Sequence, residues 1–254
     1  MESIKLPLVY NLIALESVTS TNDEAKLLAR KGELKVPDGT LVWAREQTKG
    51  RGRFGRSWSS PTGNLYTSLI LRPDIPLFKM AELSFVAALA VYDALGSLGE
   101  PGHQVHLKWP NDILLNEKKV AGILLETEGS DKNKKTDWVV LGMGMNVGGH
   151  PDDTSYPATS LRFEQWATTV EQVLEAYARS FLSWTNRWLD EGFEPIRKDW
   201  LWRCKGKGEQ IEVQVGPKVF SGIFRDLDKN GSLMLDSGDK VRHISAGDVF
   251  FSKI

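Results

Sequence analysis

The sequence predicts an α+β protein: a mixed β-sheet domain backed by helices over residues 1–206, then a small all-β barrel over 207–254. Three observations lead there. Up to about residue 206, β-branched and apolar runs alternate with segments of helical spacing. From Gly208 the texture changes to short alternating strands broken by Gly216-Pro217, Asn230-Gly231 and Ser237-Gly238. The chain has 254 residues, 41% hydrophobic and 26% charged, enough for one large core with a small satellite.

The elements follow in order. Residues 8–15 (LVYNLIAL) read as a strand, and Thr21 with Glu24 three positions on forms a capping-box pattern for a helix stopped by Gly32. Thr40–Arg45 and Asn64–Arg72 are strands rich in β-branched and aromatic residues. Lys79–Leu98 reads as a long amphipathic helix. Val105–Lys108, Asp112–Leu115 and Lys118–Thr127 are strands around the turn Trp109-Pro110-Asn111, and Ser130–Thr136 reads as a hairpin end. Trp138–Asn146 is a buried strand, Gly148–Thr159 a mobile loop, and Thr169–Asp190 and Pro195–Cys204 are helices.

Charge and composition exclude several classes. Lys plus Arg (32) nearly cancels Asp plus Glu (33), a net charge of -1, so a life of non-specific binding to nucleic acid or anionic membrane is not expected. The longest apolar stretch, about Phe85–Tyr92, is far shorter than the roughly 20 residues of a membrane span. The N-terminus lacks a basic region followed by an apolar signal core, so a cytoplasmic protein is expected. Cys204 is the single cysteine, which rules out an intrachain disulfide and a cysteine-built zinc site. The four histidines show no metal-ligand spacing, so no metal held by the protein alone is expected.

Gly50-Arg51-Gly52-Arg53-Phe54-Gly55 satisfies the dinucleotide fingerprint and, with Arg56-Ser57, resembles a phosphate-binding loop. Both motifs need a helix to open at the last glycine, and Ser57-Trp58-Ser59-Ser60-Pro61 opens none. What remains is a loop with Lys49, Arg51, Arg53 and Arg56 close together. A solvated basic loop or an RNA patch would look the same by composition, but placement between two strands of a neutral protein favours a small anionic ligand. Three further segments converge on it: Lys108-Trp109-Pro110-Asn111-Asp112 in a turn, Lys118-Lys119 at the mouth of an apolar strand, and Gly142-Met143-Gly144-Met145-Asn146, whose glycines admit a ligand or another backbone. Alternation places Lys119 with Ala121, Ile123 and Leu125, and Lys118 with Val120, Gly122 and Leu124. No G-x-S-x-G nucleophile elbow occurs. A cationic site without a nucleophile suits phosphoryl or nucleotidyl transfer.

Ser20-Thr21-Asn22, Gln47, the GRGRFGR-x-W loop, KWPNDI, KVAGI and GMGMN stand in the order seen in biotin protein ligases, which the chain resembles over almost its whole length. The resemblance implies a biotin/lipoate ligase-like catalytic domain and an SH3-like C-terminal barrel. It implies that ATP and biotin give biotinyl-5′-AMP and pyrophosphate, and that biotin then passes to a lysine of a biotin carboxyl carrier protein. Ser20, Thr21, Asn22 and Gln47 would bind the biotin head group, with Arg51, Gly52, Arg53 and Lys119 also around biotin. Arg53, Trp58, Asn111, Asp112 and Asn146 would face ATP or the adenylate, with Mg²⁺ entering with ATP near Asp112. Lys119 and Arg53 would be catalytic. Thr21 would then be both a helix cap and a ligand contact, two roles competing for one hydroxyl. A homodimer or monomer–dimer equilibrium is expected. Only nineteen residues precede Ser20, too few for the DNA-binding domain of some relatives, so no DNA partner and no membrane partner is expected. A lipoate-type ligase, a nucleic-acid-binding module and a catalytically dead biotin sensor are the competing readings.

Overall fold

The computed structural model describes residues 4–128 and 136–251. A seven-stranded mixed sheet is built from β1 (Asn11–Val18), β2 (Thr40–Gln47), β3 (Leu65–Leu71), β4 (Val105–Lys108), β5 (Asp112–Leu115), β6 (Lys118–Thr127) and β7 (Val139–Met145), in the order β1-β2-β3-β7-β6-β5-β4. Only the β1–β2 pair is parallel, because α1 (Thr21–Ala29) crosses between them; every other ladder is antiparallel. Helices α2 (Glu82–Leu98), α3 (Val170–Glu191) and α4 (Phe193–Arg203) complete this unit. Five strands follow: β8 (Gln210–Val215), β9 (Lys218–Leu227), β10 (Leu233–Asp236), β11 (Val241–Ile244) and β12 (Asp248–Phe251). They form an antiparallel SH3-like sheet in the order β11-β10-β9-β8-β12, and no ladder joins β11 to β12 among the described residues.

The two faces of the large sheet are used differently. One carries the main core, where α2 lies against β4, β5 and β6 and under α3. Leu83, Phe85–Val91, Ala94 and Leu95 are all buried, so α2 is apolar on nearly every side, as a helix enclosed between layers must be. The opposite face carries α1, which buries Ala25 and Ala29 on Val42, Ile70 and Val140. Beyond the end of α1 that face is covered by the Gly50–Ser57 loop and the 151–158 segment, which leave a cavity over the strands. The C-terminal sheet joins the main core through Ile211, Val213, Phe224 and Leu233, and the Trp109 indole N–H donates to Gly231 O at 3.1 Å.

Several expectations need correction. The first strand lies three residues later than expected, and Leu8 and Val9 are exposed. Thr21 does not cap its helix: Ser20 occupies the N-cap position, without a side-chain capping bond, and the Thr21 hydroxyl is used elsewhere. The capping box that does form is Thr169 with Gln172 at the start of α3. The helix expected from Lys79 begins as a short 3₁₀ turn, Leu77–Lys79, and continues as α2; it is not amphipathic as expected, because sheet and helices enclose it on both sides. The combined stretch Leu77–Leu98 is long and apolar enough, by composition, to cross a membrane, contrary to the apolar-length reading. It is the buried core helix, packed between sheet and helices. The hairpin end read at Ser130–Thr136 lies, apart from Thr136, outside the described residues. Gly148–Thr159 has no regular structure, yet the buried Asn64 ties its start: Oδ1 accepts the backbone N–H of Val147, Gly148 and Gly149 at 2.9, 2.9 and 3.1 Å, and Nδ2 donates to Gly149 O.

Asn64→Ala would orphan the Val147 and Gly149 amides, while the Gly148 N–H would keep its second acceptor, Gly63 O at 2.9 Å. We expect a loss of about 2 kcal/mol in stability, read as a lower urea midpoint with an unchanged m-value. An unchanged midpoint would mean that the loop finds other acceptors.

Candidate active site

A cavity of about 510 Å³ opens on the α1 face, between the large sheet, the Gly50–Ser57 loop, the 151–158 segment and the first residues of β12. All of the sequence-nominated residues line it: Ser20, Thr21, Asn22, Gln47, Arg51, Gly52, Arg53, Trp58, Asn111, Asp112, Lys119 and Asn146.

Its inner end is a polar network held by the start of α1. The Thr21 amide and hydroxyl both donate to Gln47 Oε1, at 2.8 and 3.1 Å, and Gln47 Nε2 donates to Ser60 Oγ at 2.9 Å. Ser68, fully buried on β3, stands 2.8 Å from Thr21 Oγ1 and 2.5 Å from Asn22 Oδ1. Asn22 Nδ2 donates to Glu126 Oε2 at 2.8 Å. The competition for the Thr21 hydroxyl is therefore decided in favour of the cavity wall. Thr21 and Asn22 are each less than 5% exposed, and such buried polar groups persist only when bonded in this way.

Two glycines on β7 make room for side chains, rather than for another backbone. A Cβ at Gly142 would lie 2.3 Å from Asn22 Oδ1, and one at Gly144 would lie 2.7 Å from Trp58 Nε1. Gly144 pairs with Gly122 across the sheet, so the Trp58 indole lies over a floor without side chains. Its Nε1 is buried without a hydrogen-bond partner among the described residues.

The outer end is cationic. Lys119 Nζ lies 2.6 Å from Asp112 Oδ1 and 5.2 Å from the Trp58 ring, while Lys108 Nζ lies 3.3 Å from Asp112 Oδ2 and 4.4 Å from the Tyr156 ring. Burial alone would raise the Asp112 carboxyl pKa, but Lys119 and Lys108 outweigh it and hold the group below the usual carboxylate range. Burial pushes Lys108 the other way, below the usual lysine range, against the pull of Asp112. Arg53 donates to Asn111 Oδ1 at 3.1 Å and to Gly247 O at 3.2 Å, and burial lowers its pKa. Both oxygens of Asp112 are thus engaged by ammonium groups. Among the described residues no three His, Cys, Asp or Glu side chains converge as a metal site.

The lysine register shows why simple alternation misplaces Lys119. Ile113 pairs with Ala121 and Leu114 with Lys119, so Val120 is bulged out of the β5–β6 ladder. Lys119 therefore turns to the face of Gly122 and Leu124, and its amine would meet a Cβ on Gly122 at 3.5 Å. Ala121 and Ile123 stay in the core. Lys118 faces away, 3.8 Å from Glu164 and 5.0 Å from the Phe163 ring.

The glycine-arginine loop is a closed turn. Arg51 and Ser57 form a bridge, Gly52 N–H donates to Arg56 O at 2.7 Å, and a 3₁₀ turn spans Arg53–Gly55, with Phe54 and Gly55 at φ 57° and 73°. No helix opens there, so neither phosphate-loop reading survives. Sequence reasoning missed Ser68, Glu126 and Tyr156, and gave no role to Lys108. A serine in a buried strand and a lysine in the quoted turn were the available signals for two of these.

Gly142→Ala and Gly144→Ala should leave the fold intact but displace Asn22 and Trp58. We expect biotin affinity by calorimetry to fall by at least about tenfold for each. Unchanged affinity would show that the two side chains yield without consequence.

Comparisons with known proteins agree along the chain. Residues 13–202 match the profile of the biotin/lipoate A/B protein ligase family, and residues 207–252 that of the biotin protein ligase C-terminal domain. A biotin–[acetyl-CoA-carboxylase] ligase of Paracoccus denitrificans is 41% identical over 243 residues, covering 93% of this chain and 99% of that protein. The bifunctional ligase/repressor BirA of Bacillus spizizenii is 33% identical, over 94% of this chain and 73% of its own length. Among solved structures, the biotin protein ligase of Aquifex aeolicus in complex with biotin and ATP superposes with a TM-score of 0.76 at 28% identity, covering 94% of this chain and 97% of that one. The chain belongs to the biotin/lipoate protein ligase family.

Proposed function

We propose that the protein is an ATP-dependent biotin protein ligase, which activates biotin as biotinyl-5′-AMP with release of pyrophosphate and transfers it to a lysine of a biotin carboxyl carrier domain. The observation that carries the reading is the union, in one cavity, of a neutral hydrogen-bonding end and a cationic end. The Ser20–Asn22 and Gln47 end offers oriented donors and acceptors of the kind a ureido ring requires. The opposite end gathers Lys119, Arg53 and Lys108 where a carboxylate and a triphosphate would meet.

The chemistry demands that arrangement. A biotin carboxylate oxygen attacks the α-phosphorus of MgATP, and the bond from that phosphorus to the bridging oxygen of pyrophosphate breaks. Two anions must approach, so cations are needed where charge accumulates. In this reading Lys119 lies between carboxylate and phosphate, and Arg53 supports the adenylate. Asn111 and Asp112 lie beside the metal-bound phosphates, Trp58 and Asn146 border the nucleotide, and Arg51 and Gly52 belong to the loop that covers biotin. In the second step the carrier amine attacks the acyl carbon, AMP leaves, and the amine proton passes to solvent or to a base. The mixed anhydride is hydrolysable, and the closed Gly50–Ser57 turn is suited to exclude water from it.

Further parts of the reading concern context. The carrier domain is the expected protein partner. The protein is proposed to act in the cytoplasm, and as a homodimer or in monomer–dimer equilibrium; the latter is supported by the outer edge of β1, against which no strand is paired among the described residues. The division into 1–206 and 207–254 is supported by the two profile matches, 13–202 and 207–252.

Two experiments test the reading. Lys119→Ala should lose about 10²–10³ in biotin-dependent pyrophosphate release, whereas Lys118→Ala should stay within about threefold, as expected for an exposed charge. Lipoate should not replace biotin; a preference for lipoate would move the protein to the sister activity. Separately, trypsin cleavage at Arg51, Arg53 and Arg56 should slow markedly when biotin and MgATP are added together. Equal cleavage with and without them would contradict a loop that covers the intermediate.

A further inference from the structure

We propose that Glu126 is a positioning residue for the ligand loop and the inner wall at once. Its one carboxylate fastens Arg51 of the loop and orients the Asn22 amide. The inference rests on reading the cavity as the biotin and adenylate site.

Beyond the Val120 bulge, Gly122, Leu124 and Glu126 share the cavity side of β6, and Glu126 stands beyond the inner wall. Arg51 reaches it as a fork, Nη1 to Oε1 and Nη2 to Oε2, both at 3.1 Å. This two-pronged geometry fixes orientation as well as distance. Arg51 also reaches Asp23 at 2.5 Å, and Lys26 bonds Glu126 at 3.0 Å and Asp23 at 3.0 Å. Two carboxylates and two cations balance, leaving no surplus charge. Since Arg51 is bridged to Ser57, holding its side chain holds the base of the loop.

The second bond makes this more than a surface ion pair. Asn22 Nδ2 donates to Glu126 Oε2 at 2.8 Å, and Ser68 stands at Asn22 Oδ1. An amide presents a donor on one side and an acceptor on the other, and Glu126 decides which side is which. Burial raises the Glu126 pKa, but the bonds from Asn22, Lys26 and Arg51 outweigh it and keep the group ionised. With side-chain exposures of 33% and 21%, the Arg51–Glu126 attraction alone adds little to stability, so its effect should appear in binding geometry.

The test measures biotin-dependent pyrophosphate release on the full chain, with the urea midpoint recorded for each variant. Glu126→Gln keeps an acceptor but removes the charge, and should raise the KM for biotin about tenfold with kcat within about threefold. It should also speed release of preformed biotinyl-adenylate. Glu126→Asp should recover part of the KM. Lys26→Ala, which strips the same carboxylate of a cation that does not belong to the loop, should stay within about twofold. Combined with Arg51→Ala, Glu126→Gln should add less than its single effect. An unchanged KM in Glu126→Gln, an equal defect in Lys26→Ala, or full additivity with Arg51→Ala would overturn the proposal. If Lys119→Ala is crippled while Glu126→Gln is silent, only this inference fails. If both are silent, the reading of the cavity fails.

Discussion

The Asp112 carboxylate, held between two ammonium groups, is the interaction on which the site depends. Gathering Lys108, Lys119 and Arg53 round one partly closed cavity is unfavourable twice over, through lost hydration and mutual repulsion. Asp112 answers both by bonding Lys119 with one oxygen and Lys108 with the other. It can do so because β4 and β5 meet across the Trp109-Pro110-Asn111 turn, which pairs Lys108 with Asp112 in register. A tight turn is thus an electrostatic device as well as a connection. Its Trp109 plug, bonded to Gly231 in the turn between β9 and β10, ties the turn to the C-terminal unit.

The second unit also shapes the cavity. Arg53 reaches the Gly247 carbonyl, and Arg56 pairs with Asp248 at 2.9 Å. The loop is therefore tied at its base to Glu126 of the large sheet and at its tip to the C-terminal sheet. With core residues of both sheets in one cluster, a displacement of the small sheet would carry the loop tip with it. The loop's geometry is set jointly by residues far apart in sequence.

Much of this was legible beforehand. Strand and helix identities followed from period and turn residues, because each element buries a face whose pattern the chain must spell out. That the named residues would meet in one cavity was legible because motif order and residue chemistry coincide in Ser20–Asn22, the arginine loop and KWPND. What escaped was set by tertiary contact. The Thr21 hydroxyl looked like a cap because its local pattern matches one, yet Gln47 lies 26 positions away and wins it. Glu126 and Ser68 sit within strands whose apolar neighbours dominate the pattern, and their partners lie 104 and 46 positions distant. No local signal carries such pairings. The β1 boundary slipped because Leu8 and Val9 are apolar but exposed, which composition cannot distinguish from a strand start.

The register of Lys119 shows where local rules give way and why. Strict alternation would have sent its amine into the core with Ala121 and Ile123, where an unpaired ammonium is intolerable. A bulge at Val120 reverses the facing of everything before it while leaving the core residues after it in place. The bulged residue is kept stable by its own bonds: Val120 O accepts the Asn146 amide at 2.8 Å, and the Lys119 backbone bonds Pro157 O and the Thr159 amide. The same irregularity that aims the lysine therefore anchors Asn146 and the 157–159 segment beside it. One extra residue in one strand brings together three parts of the cavity that a regular ladder would have kept apart. Bulges are over-represented beside sites of this kind because an extra residue re-aims a side chain that regular pairing would misplace.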